Sequence, residues 1–215
     1  MPTTAAIALA IIGGYLVGSI SFAWLIGRSQ GIDIRKHGSG NVGATNVQRV
    51  LGRNLGRLCF LLDFGKGVLP VVLTQALTGP QPAWIAVLAG AAAVVGHVWP
   101  ITLGFKGGKG FATSLGVIAA VAPLCFVVGA LVWLAVFFGT RYVSLASLAS
   151  AVALPLAATA FRVLPVGRVP TSVYLLLWAV TVLIFIRHKS NIQRLLNGEE
   201  HRFGQTTVNQ DNRRP

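Results

Sequence analysis

Long uncharged stretches alternate with short polar ones along the chain, and the polar stretches hold nearly all the cations. Met1 to Gly27 carries no charge, and the first charged residue is Arg28. Further apolar runs extend from about Arg57 to Thr78, closed by the turn Gly79-Pro80-Gln81-Pro82, and then over Ala83–Phe105, Phe111–Thr140, Tyr142–Phe161 and Val169–Ile186. A membrane span needs about 20 apolar residues to cross roughly 30 Å of hydrocarbon, so the pattern predicts membrane-spanning helices throughout. The first run is too long, and lacks the preceding basic residues, for an ordinary signal peptide. Taken literally, the runs give six spans.

The cations contradict six. Arg28, Arg35, Lys36, Arg49, Arg53 and Arg57 follow the first run; Lys106 and Lys109 follow the third; Arg141 follows the fourth; Arg187, Lys189, Arg194, Arg202, Arg213 and Arg214 lie in the tail. The remaining connections offer only Arg162 and Arg168, and Lys66 lies within the second run. The positive-inside rule places the first three groups, Arg141 included, and the tail in the cytoplasm and the N-terminus outside, yet an even number of crossings would leave the tail outside. The Phe111–Thr140 run resolves the conflict. At 1.5 Å per residue it would be about 45 Å long, and it contains Ala122-Pro123, a natural helix break. One long helix with a proline kink would keep the wrong parity, whereas two shorter helices meeting near Val121–Leu124 give seven crossings. The expected architecture is an all-α integral membrane protein of about seven transmembrane helices, with a split pair around Pro123 and short interfacial helices. Residues 1–200 are expected to form a single multi-spanning domain, and residues 201–215 a polar cytoplasmic tail.

Composition sharpens this picture. Only 11% of residues are charged and 54% are hydrophobic; soluble domains carry roughly a quarter charged residues, so disorder and a water-soluble globule are excluded. The formal net charge of +13 fits an anionic membrane surface better than nucleic acid, because the cations follow topology and are not interleaved with aromatics. Cys59 and Cys125 lie in apolar runs and read as small buried hydrophobes. His97 and His188 lack paired ligands, and Asp33, Asp63, Glu199, Glu200 and Asp211 do not cluster, so neither a metal nor another cofactor is expected.

Three polar segments carry candidate chemistry. The first, Arg35-Lys36-His37-Gly38-Ser39-Gly40-Asn41-Val42-Gly43-Ala44-Thr45-Asn46, matches G-x-G-x-x-G literally, but that fingerprint requires a βαβ unit and the flanks here are membrane helices. What remains is the local physics: Gly38, Gly40 and Gly43 let backbone N–H groups converge on an anion at a helix N-terminus. Val47, Val50, Leu51, Leu55 and Leu58 predict a following helix with one apolar face, and Arg49, Arg53 and Arg57 form a stripe on another. Arg53 and Arg57 suit lipid headgroups; Arg49, nearest the turn, suits an anion clamp. The second segment runs Gly96-His97-Val98-Trp99-Pro100 and then Gly104-Phe105-Lys106-Gly107-Gly108-Lys109-Gly110. It is not a Walker A loop, but its glycines and lysines suit a phosphate cradle or a headgroup-binding loop, and His97 is either packed at the interface or a substrate contact. In the third, Arg187 to Glu200, Ile192, Leu195 and Leu196 predict a short amphipathic helix, with His188 and Asn191 one turn apart. Asp63 and Lys66 share that spacing within a span and read as a structural ion pair.

Together these blocks resemble the bacterial acyl-phosphate:glycerol-3-phosphate acyltransferase family, the PlsY type. The likeness covers nearly the whole chain and rests on three signatures in order: Gly38 to Asn46 with Arg49; Gly96-His97 to Pro100 with Phe105 to Gly110; and Arg187-His188-x-x-Asn191-Ile192-x-Arg194-Leu195-Leu196-x-Gly198-x-Glu200. Asp63-x-x-Lys66-Gly67 and Arg141-Tyr142-Val143-Ser144-Leu145-Ala146-Ser147 are also similar. Trp99, where the family often has Phe, and the polar tail after Glu200 depart from the pattern.

The resemblance implies a seven-helix enzyme of the bacterial inner membrane with its active site facing the cytoplasm. It would transfer a fatty acyl group from acyl phosphate, not acyl-CoA or acyl carrier protein, to the 1-hydroxyl of glycerol 3-phosphate. The products would be lysophosphatidic acid and phosphate, the first step of phospholipid synthesis. It also implies contact with membrane lipid and a functional link to the enzyme that makes acyl phosphate. By the family pattern Ser39, Arg49 and Lys109 bind the acyl phosphate and nearby transition-state oxygens. His188 and Asn191 hydrogen-bond the polar substrates with Ser147 or Ser144, Gly104, Gly107 and Gly108 shape the glycerol 3-phosphate site, and Asn41, Lys106 and Glu200 support it, with Glu200 pairing a nearby arginine. No carboxylate makes an obvious pair with a histidine, which favours a substrate phosphate as proton acceptor, with His188 as the rival base. None of His37, His97, His188 and His201 has an Asp five residues later, as the His-x-x-x-x-Asp acyltransferases require. A small transporter of a phosphorylated solute is the main alternative; it would need its polar groups reachable from both sides.

Overall fold

The computed structural model describes residues 3–78, 84–164 and 168–204. The expected turn Gly79–Pro82, together with Asp211, Arg213 and Arg214, lies outside them. The described residues are all-helical: α1 Thr3–Gly18, α2 Phe22–Ser29, α3 Ala44–Leu51, α4 Arg53–Thr78, α5 Trp84–Val98, α6 Phe111–Val121, α7 Pro123–Thr140, α8 Val143–Val163, α9 Thr171–Arg187 and α10 Lys189–Leu196. Short 3-10 turns cover Ile34–Lys36 and Ile101–Leu103. Counting α1 with α2, and α5 with its 3-10 turn, five described segments are long and apolar enough to cross a membrane; α9 with α10, bent by 60°, makes a sixth. The remaining apolar helix, α6, has 11 residues, or about 16 Å of rise, and completes the split pair.

That split falls where parity requires it. Ala122, at φ −149° and ψ 66°, leaves the helix, and Pro123 opens α7 at a position where its missing N–H is no loss. The polar segments before α3, before α6 and after α9 therefore meet at one end of the bundle.

Two breaks interrupt runs that the periodicity reads as continuous. The first apolar run separates at Ser19–Ser21, between α1 and α2. The carbonyls freed there accept from distant donors: Thr102 Oγ1 bonds Ser19 O at 2.7 Å, and Lys66 Nζ bonds Ile20 O at 2.6 Å. The helix expected through Leu58 is divided at Gly52, whose φ of 93° suits no other residue. Arg53 and Arg57 accordingly begin the next span rather than continue the interfacial helix.

Small residues set the closest helix pairs. A Cβ on Gly14 or Gly18 would overlap the backbone of Ala89 or Ala93 of α5, one on Gly96 would overlap Tyr15 O, and ones on Gly67 and Gly116 would overlap the backbones of α6 and α4. The Gly14-x-x-x-Gly18 stripe is thus occupied within the chain. The core runs through Val71, Val98, Val117, Ile118, Leu154, Leu177 and Ile184. Leu9, Leu61, Leu131 and Phe138 are exposed, as an outward apolar band facing lipid demands.

Candidate active site

Each polar segment is fixed from below before it reaches the site. In the first, Asn46 is almost wholly buried and works as a backbone template. Its Oδ1 accepts Ser39 N–H at 2.9 Å, and its Nδ2 donates to Ile34 O at 3.2 Å and His37 O at 3.0 Å. Gly38, at φ 60°, closes over it, and a Cβ there would overlap Asn46 Oδ1. Gly43 caps α3, and Arg49, one turn along, donates to Asn46 Oδ1 at 3.4 Å. Asp33 and Arg35 form an exposed ion pair, 2.7 Å apart, at the entrance to the turn.

The second segment folds back on the end of α5. Gly107 N–H donates to Val98 O at 3.1 Å and Gly108 N–H to His97 O at 3.1 Å. A Cβ on Gly108 would overlap His97 Nε2, so the loop lies flat on the imidazole. His97 is buried beneath, its Nδ1 3.6 Å from Asp63 Oδ1. Lys66 Nζ lies 2.8 Å from the same oxygen. The expected Asp63–Lys66 pair is therefore a buried triad with His97, set below the glycine loop. Gly104, in the left-handed region, ends the 3-10 turn that leads into Lys106.

The third segment joins the second directly. Arg187 donates to Gly107 O at 3.3 Å and Gly108 O at 3.2 Å. Lys109 Nζ bonds Asn191 Oδ1. Asn191 Nδ2 donates to Glu200 Oε1 at 2.6 Å, Ser144 Oγ to the same oxygen at 2.8 Å, and Arg194 Nε to Glu200 Oε2 at 2.7 Å. The arginine expected for Glu200 is Arg194. Ser144 and Ser147, inseparable by spacing, have different surroundings: Ser147 Oγ donates to Val143 O at 2.8 Å and accepts from Trp133 Nε1 at 3.3 Å. His188 is buried with Nδ1 2.8 Å from Ile184 O. A carbonyl can only accept, so Nδ1 carries the proton and Nε2 is left with its lone pair.

The three segments enclose one cleft of about 650 Å³. It is lined by Arg35, Ser39, Gly40, Asn41 and Val42 from the first; Phe105, Lys106, Gly107 and Lys109 from the second; and Ile186, Arg187, Lys189, Ser190, Gln193 and Arg194 from the third. Six of these fifteen residues are cations and none is a carboxylate. Of the lining residues, Lys189 and Ser190 open α10, whose N-terminal dipole adds positive potential. The cleft is built for anions.

Its electrostatics follow from crowding. Burial pushes the Lys109 ammonium down to about 8; Glu200 pulls it back up, while Arg194, Arg49 and Arg187 push it further down. Burial likewise lowers Arg49, against the pull of Glu200. Burial alone would raise Glu200, but hydrogen bonds from Asn191, Ser144 and Arg194 more than reverse it, and its carboxylate sits below the ordinary value.

Among the expected site residues, Ser39, Gly40, Asn41, Lys106, Gly107 and Lys109 line the cleft, and Asn191, Glu200 and Ser144 form the network behind Lys109. Gly38, Gly43 and Arg49 shape the first turn from beneath. Gly108 and His97 form the floor of the second loop. Asn46, Arg187 and Gln193 were not singled out from sequence, although Asn46 and Arg187 stand inside the quoted signatures. A polar residue closing a glycine turn, and an arginine ending an apolar span, were the available signals.

Comparisons with known proteins identify the family. Residues 8–198 match the family model described as glycerol-3-phosphate acyltransferase. The chain is 46% identical to a glycerol-3-phosphate acyltransferase of Aquifex aeolicus over 193 residues, covering 90% of this chain and 97% of the relative. It is 47% identical to one from Geobacter sulfurreducens, covering 88% and 93%. Among solved structures it is similar to PlsY, an integral membrane glycerol 3-phosphate acyltransferase, in a glycerol 3-phosphate form (TM-score 0.84, 44% identity, covering 92% of this chain and 96% of that one). It is also similar to the lysophosphatidic acid form (TM-score 0.82, 43% identity, covering 92% and 95%). These relatives decide for an enzyme over a transporter. A helical membrane bundle with three converging glycine-containing signatures, matched over nearly its full length, belongs to the glycerol-3-phosphate acyltransferase family.

Proposed function

We propose that the chain transfers a fatty acyl group from acyl phosphate to the 1-hydroxyl of glycerol 3-phosphate, releasing lysophosphatidic acid and phosphate. The observation that carries this reading is the cleft itself, with its surplus of cations and no lining carboxylate. Both proposed reactants are phosphorylated, and acyl phosphate arrives activated. The protein then needs chiefly to align the hydroxyl with the carbonyl carbon and to stabilise the oxyanion that develops. Ser39 on one wall, with Arg49 beneath its turn, and Lys109 on the other supply donors for the acyl phosphate; Lys106, Gly107 and Gly108 shape the glycerol 3-phosphate site; His188 and Asn191 orient the polar groups.

In the reaction the glycerol 3-phosphate hydroxyl oxygen bonds to the acyl carbon, the carbon–oxygen bond to phosphate breaks, and phosphate leaves. The hydroxyl proton passes to a phosphate oxygen. Glu200 is unsuited to take it: both its oxygens accept hydrogen bonds, one from a guanidinium. His188 donates its Nδ1–H to a carbonyl and not to a carboxylate, so it lacks the partner that would stabilise an imidazolium. The site would face the cytoplasm of the bacterial inner membrane, since Arg35, Lys36, Arg49, Lys106, Lys109, Arg141 and Arg187 all belong to its end of the bundle.

The test is donor choice in detergent-purified full-length protein. With glycerol 3-phosphate as acceptor, palmitoyl phosphate is expected to give lysophosphatidic acid and stoichiometric phosphate, and palmitoyl-CoA to give none. Comparable turnover with palmitoyl-CoA would overturn the assigned donor.

A further inference from the structure

The matched family region ends at residue 198, but ordered contacts continue past it. Helix α10 stops in a Schellman turn: Glu199 N–H donates to Arg194 O at 2.8 Å, and Gly198 N–H, at φ 72°, to Leu195 O at 3.2 Å. This reverses the chain, so that residues 199–203 run back toward the corner between α7 and α8. Three contacts pin the far end there. Phe203 N–H donates to Arg141 O at 2.8 Å. The Phe203 ring meets Phe137 edge-on, with centroids 5.0 Å apart. The Arg202 guanidinium lies over the Tyr142 ring at 5.2 Å, with Nε donating to its hydroxyl at 3.0 Å. Glu200 sits between the two anchors, holding Ser144, Asn191 and Arg194.

We propose that residues 199–203 form a clasp in which Phe203 is a positioning residue for the acyl-transfer site, acting through Glu200 on Asn191 and Lys109. The relay is geometric. An Asn amide turns over easily, and only an acceptor on its Nδ2 side keeps Oδ1 directed at Lys109. Glu200 is that acceptor, and a five-residue strap free at one end would not hold a carboxylate in fixed register. The Phe137–Phe203 contact, continuous with the Trp133–Phe137 stack at 4.8 Å, fixes the free end. Aromatic pairs of this kind contribute beyond their buried area, so the ring is the dominant anchor and the arginine the secondary one.

The proposal rests on the acyl-transfer reading, and the experiment separates the two. Full-length wild type, Phe203→Ala, Phe203→Tyr, Arg202→Ala, Glu200→Gln and both doubles with Glu200→Gln are purified in detergent and assayed with palmitoyl phosphate and glycerol 3-phosphate. Turnover by wild type is the control; its absence sinks the acyl-transfer reading and not the clasp. Given that turnover, Phe203→Ala is expected to lose roughly ten- to a hundredfold in kcat/KM, the range for a misplaced catalytic group. Arg202→Ala should lose less, and Phe203→Tyr should restore wild-type rates. In the Glu200→Gln background neither strap substitution should lower the rate further, to within about twofold, the scatter of independent sites. Losses that multiply in the doubles, or a Phe203→Ala enzyme with wild-type kinetics, would overturn the clasp. Arg202→Ala carries the same cycle if Phe203→Ala is not recovered folded.

Discussion

Lys109→Ala should lose activity by about two to three orders of magnitude, the usual cost of removing one preorganised donor from a developing oxyanion, while inserting and purifying as the wild type does. Lys109 is positioned twice over, by its place in a loop pinned to the end of α5 and by its bond to Asn191. In the proposed role its charge is needed only where phosphate binds, so the fold is expected to survive its loss. The same residue sets an alkaline limit. Its ammonium is held near 8, below the ordinary lysine value, because burial and three arginines disfavour the charge. In its proposed role the protonated form grips phosphate, and a lowered pKa means that this form disappears as pH rises through about 8. kcat/KM for the free enzyme should therefore fall on that side and recover as pH is lowered. Lys109→Arg, whose guanidinium stays charged, should flatten this limb. Profiles measured from pH 6 to 10 on both proteins check the assignment, and an unchanged limb in Lys109→Arg would assign it elsewhere.

The largest effect on stability is expected at Asp63. Asp63 and Lys66 are 2% and 4% exposed, and Lys66 Nζ has Asp63, Ile20 O and the Phe22 ring as its partners. Asp63→Ala removes the counter-charge and strands a buried ammonium, at a cost of about 3–5 kcal/mol. His97 loses its carboxylate at the same time, and the loop resting on it loses its floor. Asp63→Leu with Lys66→Met discharges both partners together and should recover much of the lost thermal midpoint, because paired removal leaves no orphan charge. The midpoint of each variant in detergent checks this; a single mutant as stable as wild type would show that the triad carries no structural weight.

The fold was legible where a local signal coincided with a global constraint. Pro123 alone is compatible with a kinked helix; combined with the side preference of the cations, it required two helices, and Ala122 leaves helical geometry there. The site segments were legible for a similar reason. Glycines and basic residues in the connections of an apolar bundle have few uses besides anions, and the order of the signatures specified which connections must meet. The break at Ser19–Ser21 was not legible, because what makes it tolerable lies far away in sequence: the freed carbonyls are taken by Thr102 and Lys66, and no periodicity in Met1–Gly27 records those partners. Gly52 did stand inside the expected helix, but an apolar face read at helical spacing outweighed a single glycine. His97 was ambiguous because its neighbours Asp63 and Gly108 come from another helix and from the far side of a turn. The clasp was least visible, since Arg202 and Phe203 look like an ordinary polar tail until Phe137 and Tyr142 are brought alongside.

Everything turns on two phosphorylated reactants sharing one cleft. A density map of the full-length protein with glycerol 3-phosphate and a non-hydrolysable acyl phosphonate bound tests that most directly. Both phosphorus groups are expected between the Ser39–Asn41 turn, the Lys106–Lys109 loop and the α9–α10 bend, with the glycerol 1-hydroxyl facing the acyl carbon. Phosphorus groups held at opposite ends of the bundle, or on the lipid-facing surface away from Lys109, would contradict the account.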